Sequence, residues 1–198
     1  MIKLLSADYD SIIKLIENQS KVLDLGCGSG ILLKRLIEEK KVSGRGVEIN
    51  EENIIECVKY GIPVFQGDID EGLAAYQDKS YDYVILNQTL QVIRKPDFVL
   101  KEMLRVGKRA IVSFPNFANW KIRLKLLFSG RMPKTKFLPF EWYDTPNIHL
   151  LTIKDFKIFC RKHNMKIFKE IYIKNYRPTC FMLFPNLFAE QGLFVISD

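Results

Sequence analysis

The sequence predicts an α/β fold in which helices cover both faces of a mostly parallel sheet. Short buried runs of apolar residues alternate five times with amphipathic segments between residues 20 and 114. The runs are continuously apolar, which is typical of parallel strands that are buried on both faces. The first run leads directly into a glycine-rich turn, residues 26–30, that opens a helix. These three observations indicate a Rossmann-like architecture.

The individual elements follow from the same pattern. Apolar residues at helical spacing predict an opening helix over residues 8–18, and Thr152 followed by Asp155 predicts the capped start of a helix over residues 152–163. The predicted strands are 22–25, 44–49, 62–66, 82–86, 109–114, 166–173 and 193–197. The other predicted helices are 31–41, 51–60, 70–77 and 97–106. Residues 115–150 are expected to form a lid-like insertion after the fifth strand, and residues 174–192 to be irregular.

Composition excludes several classes of protein. Of the 198 residues, 47% are hydrophobic and 12% aromatic, which is far too apolar for a disordered chain. The length fits one domain, residues 1–198. The four cysteines form no CxxC pair and are expected to be reduced thiols, and no cluster of carboxylates and histidines predicts a metal. No uncharged run approaches the roughly 20 residues of a membrane span, so we expect a cytoplasmic protein without membrane contact.

Positive charge is concentrated in the second half of the chain. Residues 1–110 carry 16 basic and 17 acidic side chains, whereas residues 111–198 carry 14 basic and 6 acidic ones. One acid-free stretch contains six of the basic residues: Lys121, Arg123, Lys125, Arg131, Lys134 and Lys136. Apolar side chains recur there at helical spacing: Trp120, Leu124, Leu127 and Phe128. The pattern predicts an amphipathic helix with a solvated basic face, or a protein-binding surface. No RNA-binding module accompanies it, so nucleic acid is not an expected partner.

The glycine turn predicts a nucleoside-type cofactor. Gly26, Gly28 and Gly30 allow a sharp turn and a close approach of ligand to backbone. Glu48 stands 18 residues beyond Gly30, at the end of the second strand, where a carboxylate can accept both hydroxyls of a ribose. The spacing G-x-G-x-G after Asp24 differs from the dinucleotide pattern, and an acid there disfavours a pyrophosphate. An ammonium and a sulfonium would suit it, which points to S-adenosylmethionine. S-adenosylhomocysteine, which keeps the ammonium but has no sulfonium, is the alternative ligand. A purely structural turn is the alternative.

Two further strand ends carry polar residues in the same order. Asp68 follows the third strand, where a carboxylate can accept the adenine amino group. Asn87 and Gln88 follow the fourth strand. Because the carboxyl ends of parallel strands lie at one edge of a sheet, this order favours a ligand-binding cleft over a structural turn.

Residues 20–114 resemble the class I S-adenosylmethionine-dependent methyltransferases. The resemblance implies a seven-stranded sheet whose last strand is antiparallel. It implies cofactor-binding residues at four regions of the ligand: Asp24, Gly26, Cys27 and Gly28 along the methionine part, Glu48 and Ile49 at the ribose and adenine face, Asp68 and Ile69 at the adenine edge, and Asn87 beneath the sulfonium.

Longer segments resemble the MetW family over nearly the whole chain. They include residues 66–73 (QGDIDEGL), 111–117 (IVSFPNF) and the long, unusual run 141–150 (EWYDTPNIHL). The family is tied to methionine biosynthesis as a companion of homoserine O-acyltransferase, which activates homoserine before sulfur enters. The resemblance therefore implies that this acyltransferase is the protein partner. Residues 174–186 fit the family poorly, and Asn50 replaces an acid that is common there.

The residues for catalysis are less well defined than those for binding. The segment after the fourth strand, residues 87–90, lacks the Pro-Pro-aromatic signature of enzymes that methylate nucleobase amino groups. His149 and Tyr143 are the candidates for a base or an acceptor clamp, although His149 equally fits a role in fixing its own loop. Two functions stay open: an S-adenosylmethionine-binding accessory partner of homoserine O-acyltransferase, and an active methyltransferase on a small molecule or a protein.

Overall fold

A computed structural model describes residues 2–135 and 138–198, so Lys136 of the predicted basic stretch lies outside the described residues. The described chain forms one mixed sheet. Its strands are β1 (Lys21–Leu25), β2 (Ser43–Glu48), β3 (Val64–Gln66), β4 (Tyr81–Asn87), β5 (Gly107–Pro115), β6 (Lys166–Lys174), β7 (Arg177–Thr179) and β8 (Gln191–Ser197). Their order is β3-β2-β1-β4-β5-β8-β6-β7. Strands β1 to β5 pair in parallel, and β8 runs antiparallel to both β5 and β6. The predicted antiparallel last strand is thus confirmed.

Helices precede, connect and follow these strands. They are α1 (Ile2–Leu15), α2 (Ile31–Lys40), α3 (Glu51–Lys59), α4 (Pro96–Val106), α5 (Trp120–Ser129), α6 (Ile153–Lys162) and α7 (Pro185–Phe188). The predicted cap of α6 is present: Thr152 Oγ1 accepts a hydrogen bond from Asp155 N at 3.2 Å, and Asp155 Oδ2 accepts one from Thr152 N at 3.1 Å. This reciprocal pair satisfies two backbone donors at the start of the helix.

The core lies in two layers, one on each face of the sheet. Helices α1, α2 and α3 cover one face, where Ile12 and Leu33 are fully buried. Helices α4 and α6 cover the other face, where Met103 and Phe156 pack. Continuous apolar strands are thus buried from both sides, as the sequence predicted.

The sheet has one strand more than the seven predicted. Strand β7 forms a short antiparallel hairpin with β6, within residues 174–192, which were predicted to be irregular. Asn175 and Tyr176 make the turn with φ of 49° and 61°. Because β7 has only three residues and contains Pro178, it carries no recognisable strand pattern, and its edge position tolerates the proline.

The predicted helix over residues 70–77 is wrong. Only a single 3-10 turn forms there, Ile69–Glu71. It ends at Gly72, whose φ of 92° lies outside the helical region.

The segment of residues 115–150 leaves the sheet after β5 and is fixed to the body of the protein at both ends. At its start, the buried side chain of Asn116 donates from Nδ2 to Ala189 O at 2.9 Å. Near its end, the backbone N–H of His149 donates to Gln91 O at 3.0 Å. Helix α5 lies between these two attachments, so an insertion after the fifth strand is confirmed.

Candidate cofactor-binding site

The glycine turn lies at the end of β1, next to β2. Gly26, Gly28 and Gly30 have φ of 68°, 55° and 76°, a left-handed backbone that favours glycine. The N–H of Gly26 donates to Val47 O at 2.8 Å, which ties the turn to β2. A Cβ at Gly26 would lie 2.9 Å from Thr89 Cγ2, while one at Gly28 would meet nothing within 4 Å. The turn is therefore packed against the protein at Gly26 and open at Gly28.

Glu48 ends β2 and directs its carboxylate toward the glycine turn. Oε2 accepts a hydrogen bond from Gly28 N at 2.8 Å, and Oε1 accepts from Ile49 N and Asn50 N, each at 2.9 Å. The residue is buried. Because a carboxylate has about four acceptor positions, one remains for a ligand hydroxyl. Glu48 thus also holds the glycine turn in place, a role that the sequence did not indicate.

Asp24 is a buried carboxyl with an unpartnered oxygen. It is 2% exposed in β1, and no described residue donates a hydrogen bond to its Oδ1. Burial, and then the charge of nearby Glu48, raise the pKa of Asp24 to about 8. An ionised carboxyl in such a place is costly unless it is paired with a cation. The buried carboxyl of Asp24 therefore fits a ligand that carries an ammonium group.

The residues predicted to meet ribose and adenine lie along the ends of β2 and β3. Ile49 is 61% exposed directly after β2. The N–H of Gly67 donates to Glu48 O at 3.1 Å, which fixes the end of β3 beside it. Asp68 caps the following 3-10 turn with its side chain, and Ile69 packs against the core. The structure thus brings these residues to the same edge of the sheet as the glycine turn.

Asn87 ends β4, on the other side of β1 from Glu48. Its Oδ1 accepts a hydrogen bond from Ser113 Oγ at 2.5 Å. The next residue, Gln88, donates from Nε2 to the same Ser113 Oγ at 3.1 Å. The ends of β4 and β5 are therefore joined by a polar side-chain network.

This network continues to a carboxyl that sequence reasoning missed. Asp8 of α1 is 1% exposed and accepts a hydrogen bond from Gln88 Nε2 at 3.1 Å. The amide of Gln191, the first residue of β8, lies against Asp8, and it donates to this carboxyl when its nitrogen is assigned to that side. Burial raises the pKa of Asp8 to about 7. The sequence placed Asp8 only at the start of a helix and Gln191 in an irregular segment, so neither carried a functional signal.

Two cysteines lie beneath the glycine turn. Cys57 Sγ donates to Gly28 O at 3.2 Å, and the sulfur atoms of Cys27 and Cys57 are 3.9 Å apart. Burial raises the pKa of both thiols. Since the thiolate is the nucleophile, these side chains are suited to packing and not to covalent catalysis.

The two predicted catalytic candidates have different surroundings. His149 lines a mostly apolar cavity of about 190 Å³ with residues of α4 and α6 such as Leu100 and Phe156, and no described residue hydrogen-bonds its buried Nε2. Tyr143 is 71% exposed and packs edge to face against Trp142, with ring centroids 5.6 Å apart. The structure therefore groups His149 with apolar side chains and leaves Tyr143 at the surface.

The described ranges contain neither a candidate metal centre nor a candidate membrane span. No group of three or more His, Cys, Asp or Glu residues within 2–135 and 138–198 could hold a metal ion. In the same ranges, no helix combines the length and the apolar character needed to cross a membrane.

The architecture is the fold of the class I S-adenosylmethionine-dependent methyltransferases. Among solved structures, a SAM-dependent methyltransferase from Archaeoglobus fulgidus is similar with a TM-score of 0.70 and 17% identity, covering 98% of this chain and 93% of that one. The [4+2]-cyclase SpnF is similar with a TM-score of 0.68 and 13% identity, covering 96% of this chain and 80% of that one. Likeness at this level of identity concerns the fold alone.

Comparison of sequences then identifies the family. The family model for methionine biosynthesis protein MetW matches residues 6–196. The bifunctional methionine biosynthesis protein MetXA/MetW of Rhodopirellula baltica is 40% identical over 177 residues, which are 85% of this chain and 28% of that protein. The chain therefore belongs to the MetW family, and it spans little more than a quarter of this curated relative.

Proposed function

We propose that this protein binds S-adenosylmethionine at the carboxyl ends of β1, β2, β3 and β4 and serves as an accessory partner of homoserine O-acyltransferase in the cytoplasm. The observation that carries the cofactor assignment is the buried carboxyl of Asp24 with its unpartnered oxygen. A ligand ammonium against Asp24 would complete this site, and the space above Gly28 would admit the rest of the amino-acid part. A pyrophosphate would bring no cation to pair with this carboxyl.

The predicted residues would contact different parts of the cofactor. Glu48 would accept one of the ribose hydroxyls with its remaining acceptor position. Ile49 and Ile69 would flank the adenine ring, and Asp68 would accept its amino group. When bound, S-adenosylmethionine supplies a methyl group that its sulfonium activates for displacement. The protein's part would be to fix the cofactor and exclude water around it.

The fused relative supports the choice of partner. The Rhodopirellula baltica protein carries MetXA and MetW in one chain, and we take its MetXA part to be the acyltransferase. Fusion keeps two modules at a high effective concentration. Separate chains of the same kind would need a specific interface to stay together. Because S-adenosylmethionine is made from methionine, an accessory protein that binds it would let the acyltransferase respond to the product of its own pathway.

The test combines purified protein with homoserine O-acyltransferase from the same source. We expect the two to co-elute from a sizing column, and the rate of acyl transfer to change when S-adenosylmethionine is added. The Asp24→Asn variant is the matched control, since it should keep the complex and lose the response to the cofactor. Separate elution together with an unchanged rate would contradict the proposal.

Methyl transfer to a small molecule or a protein is the second candidate. The observation in its favour is Asp8, a buried carboxyl at the ends of β4, β5 and β8 whose pKa of about 7 suits a general base at neutral pH. Asn87, expected beneath the sulfonium, belongs to the same network. Incubation with methyl-labelled cofactor and cell extract tests this function. A labelled product that the Asp8→Asn variant fails to make would support it, whereas cofactor binding without any labelled product would exclude it.

A further inference from the structure

Helix α5 directs apolar side chains away from the protein. Trp120, Leu124, Leu127 and Phe128 are 38%, 42%, 74% and 80% exposed. At about 100° of rotation per residue, these four side chains lie within an arc of about 100°, which we call the outer stripe. Ile122 lies on the opposite side of the helix and lines a cavity against the protein body. No residue of α5 is buried, and Leu126, which lies outside this arc, is 46% exposed as well. An amphipathic helix normally packs its apolar stripe on the core, whereas α5 leaves the outer stripe in solvent.

Basic residues border the outer stripe on both sides. By the same rotation, Lys121 and Lys125 follow one margin and Arg123 follows the other. Residues 117–135 contain five basic side chains and no acidic one. Glu190 pairs with Lys121 at 3.0 Å but belongs to the neighbouring loop. The stripe is thus an apolar patch with a positively charged rim.

We infer that the outer stripe docks onto a protein surface that is apolar at its centre and acidic at its rim, on the acyltransferase partner. This inference rests on the proposed function, because it takes the same partner, and it adds the face through which the two proteins bind. Tryptophan and arginine beside exposed leucine and phenylalanine are typical of the residues that contribute most to binding energy. A basic rim would be matched by acidic residues, which set the orientation and the rate of association.

A second copy of this chain fits the outer stripe less well. Two-fold association brings the same patch of both copies together, so the two basic rims would repel each other. A membrane surface is the other alternative, which the vesicle assay below tests.

The double variant Leu127→Glu, Phe128→Glu tests the inference on the full chain. Both side chains are among the most exposed apolar ones, so the core should be unaffected, as circular dichroism and thermal unfolding can verify. We expect the Kd for the acyltransferase, measured by biolayer interferometry, to rise at least about 30-fold, the equivalent of about 2 kcal/mol. The variant Val58→Glu on α3 is the matched control, because Val58 is 64% exposed on a different helix. Its Kd should stay within about twofold of the wild-type value.

A charge variant and a vesicle assay complete the test. Lys125→Glu should weaken binding about 3- to 10-fold at low salt and less at high salt, as expected for a rim charge. If the double variant fails to fold, Leu127→Ala takes its place, with an expected loss of about 10-fold in affinity.

Wild-type binding that the stripe variants leave unchanged would overturn this inference and leave the proposed partnership standing. Failure of the wild type itself to bind would overturn the partnership. Stripe-dependent sedimentation with phosphatidylserine vesicles, without acyltransferase binding, would assign the stripe to membranes.

Discussion

Replacing Asp24 by Asn tests the cofactor site, because binding of the cofactor should release a proton from the carboxyl of Asp24. In the ligand-free protein, burial and the charge of Glu48 raise the pKa of Asp24 to about 8. Near neutral pH the carboxyl is therefore mostly protonated. An ammonium placed against it favours the ionised form. Binding of S-adenosylmethionine between about pH 6 and pH 7.5 should thus release up to one proton.

The expected size of the effect follows from this proton count. Release of one proton per ligand raises the affinity about 10-fold per pH unit, so that about 30-fold separates pH 6 from pH 7.5. Asparagine has the same shape but no titrating proton, so the variant should bind more weakly at pH 7.5 and show a flat pH profile. Isothermal titration calorimetry in two buffers of different ionisation enthalpy measures both the Kd and the number of protons released.

Two controls distinguish a specific effect at Asp24 from a general loss of structure. Methylthioadenosine contains the nucleoside and the sulfur but no ammonium, so its affinity should not follow the titration of Asp24. The ligand-free Asp24→Asn protein should be more stable than wild type at pH 7, because the folded-state pKa lies above the unfolded value of 3.8 and stability is lost as pH rises between them. A flat profile for wild type, or an equally steep one for the variant, would refute the assignment of Asp24 to the ammonium.

Three further substitutions test other parts of the structure. Glu48→Gln should weaken S-adenosylmethionine binding by roughly 1–3 kcal/mol, because a charged acceptor for the ribose hydroxyls is lost; unchanged affinity in calorimetry would show that Glu48 is not that acceptor. Asp8→Asn should raise the urea midpoint more at pH 8 than at pH 5, because the pKa of about 7 makes the buried carboxyl increasingly unfavourable as pH rises through this interval; equal shifts would argue against it. Phe194→Ala should lower the free energy of unfolding by about 3–5 kcal/mol. The Phe194 ring lies 5.7 Å from Phe114 and 4.9 Å from Phe156, and a loss below about 1 kcal/mol in urea unfolding would mean that this cluster contributes little.

The strand ends were the most predictable part of the molecule. Asp24 lies within β1, Glu48 ends β2 and Asp68 follows β3, as the spacing of the buried runs predicted. Such residues can be placed from sequence because a strand and the turn after it are local. Asp8 and Gln191 come from opposite ends of the chain and meet only through tertiary packing. No local pattern could have paired them.

Helix α5 shows a different limit of sequence reasoning. Its apolar spacing correctly predicted a helix. The same spacing did not decide whether this helix forms a protein-binding surface. An apolar stripe has the same sequence pattern whether it faces the core or the solvent. The orientation of the helix depends on the contacts that hold the surrounding segment against the protein, such as the hydrogen bond from Asn116 to Ala189. The direction of the stripe is therefore information that the fold adds.

Strand β8 is the last one along this chain, yet it lies inside the sheet between β5 and β6. As the chain leaves the ribosome, β1 to β5 emerge first and β6 and β7 follow, while the hydrogen-bonding edges of β5 and β6 still lack their partner. Residues 191–197 then close both edges at once. Loss of this strand would leave two unjoined part-sheets, each with an open edge prone to aggregation.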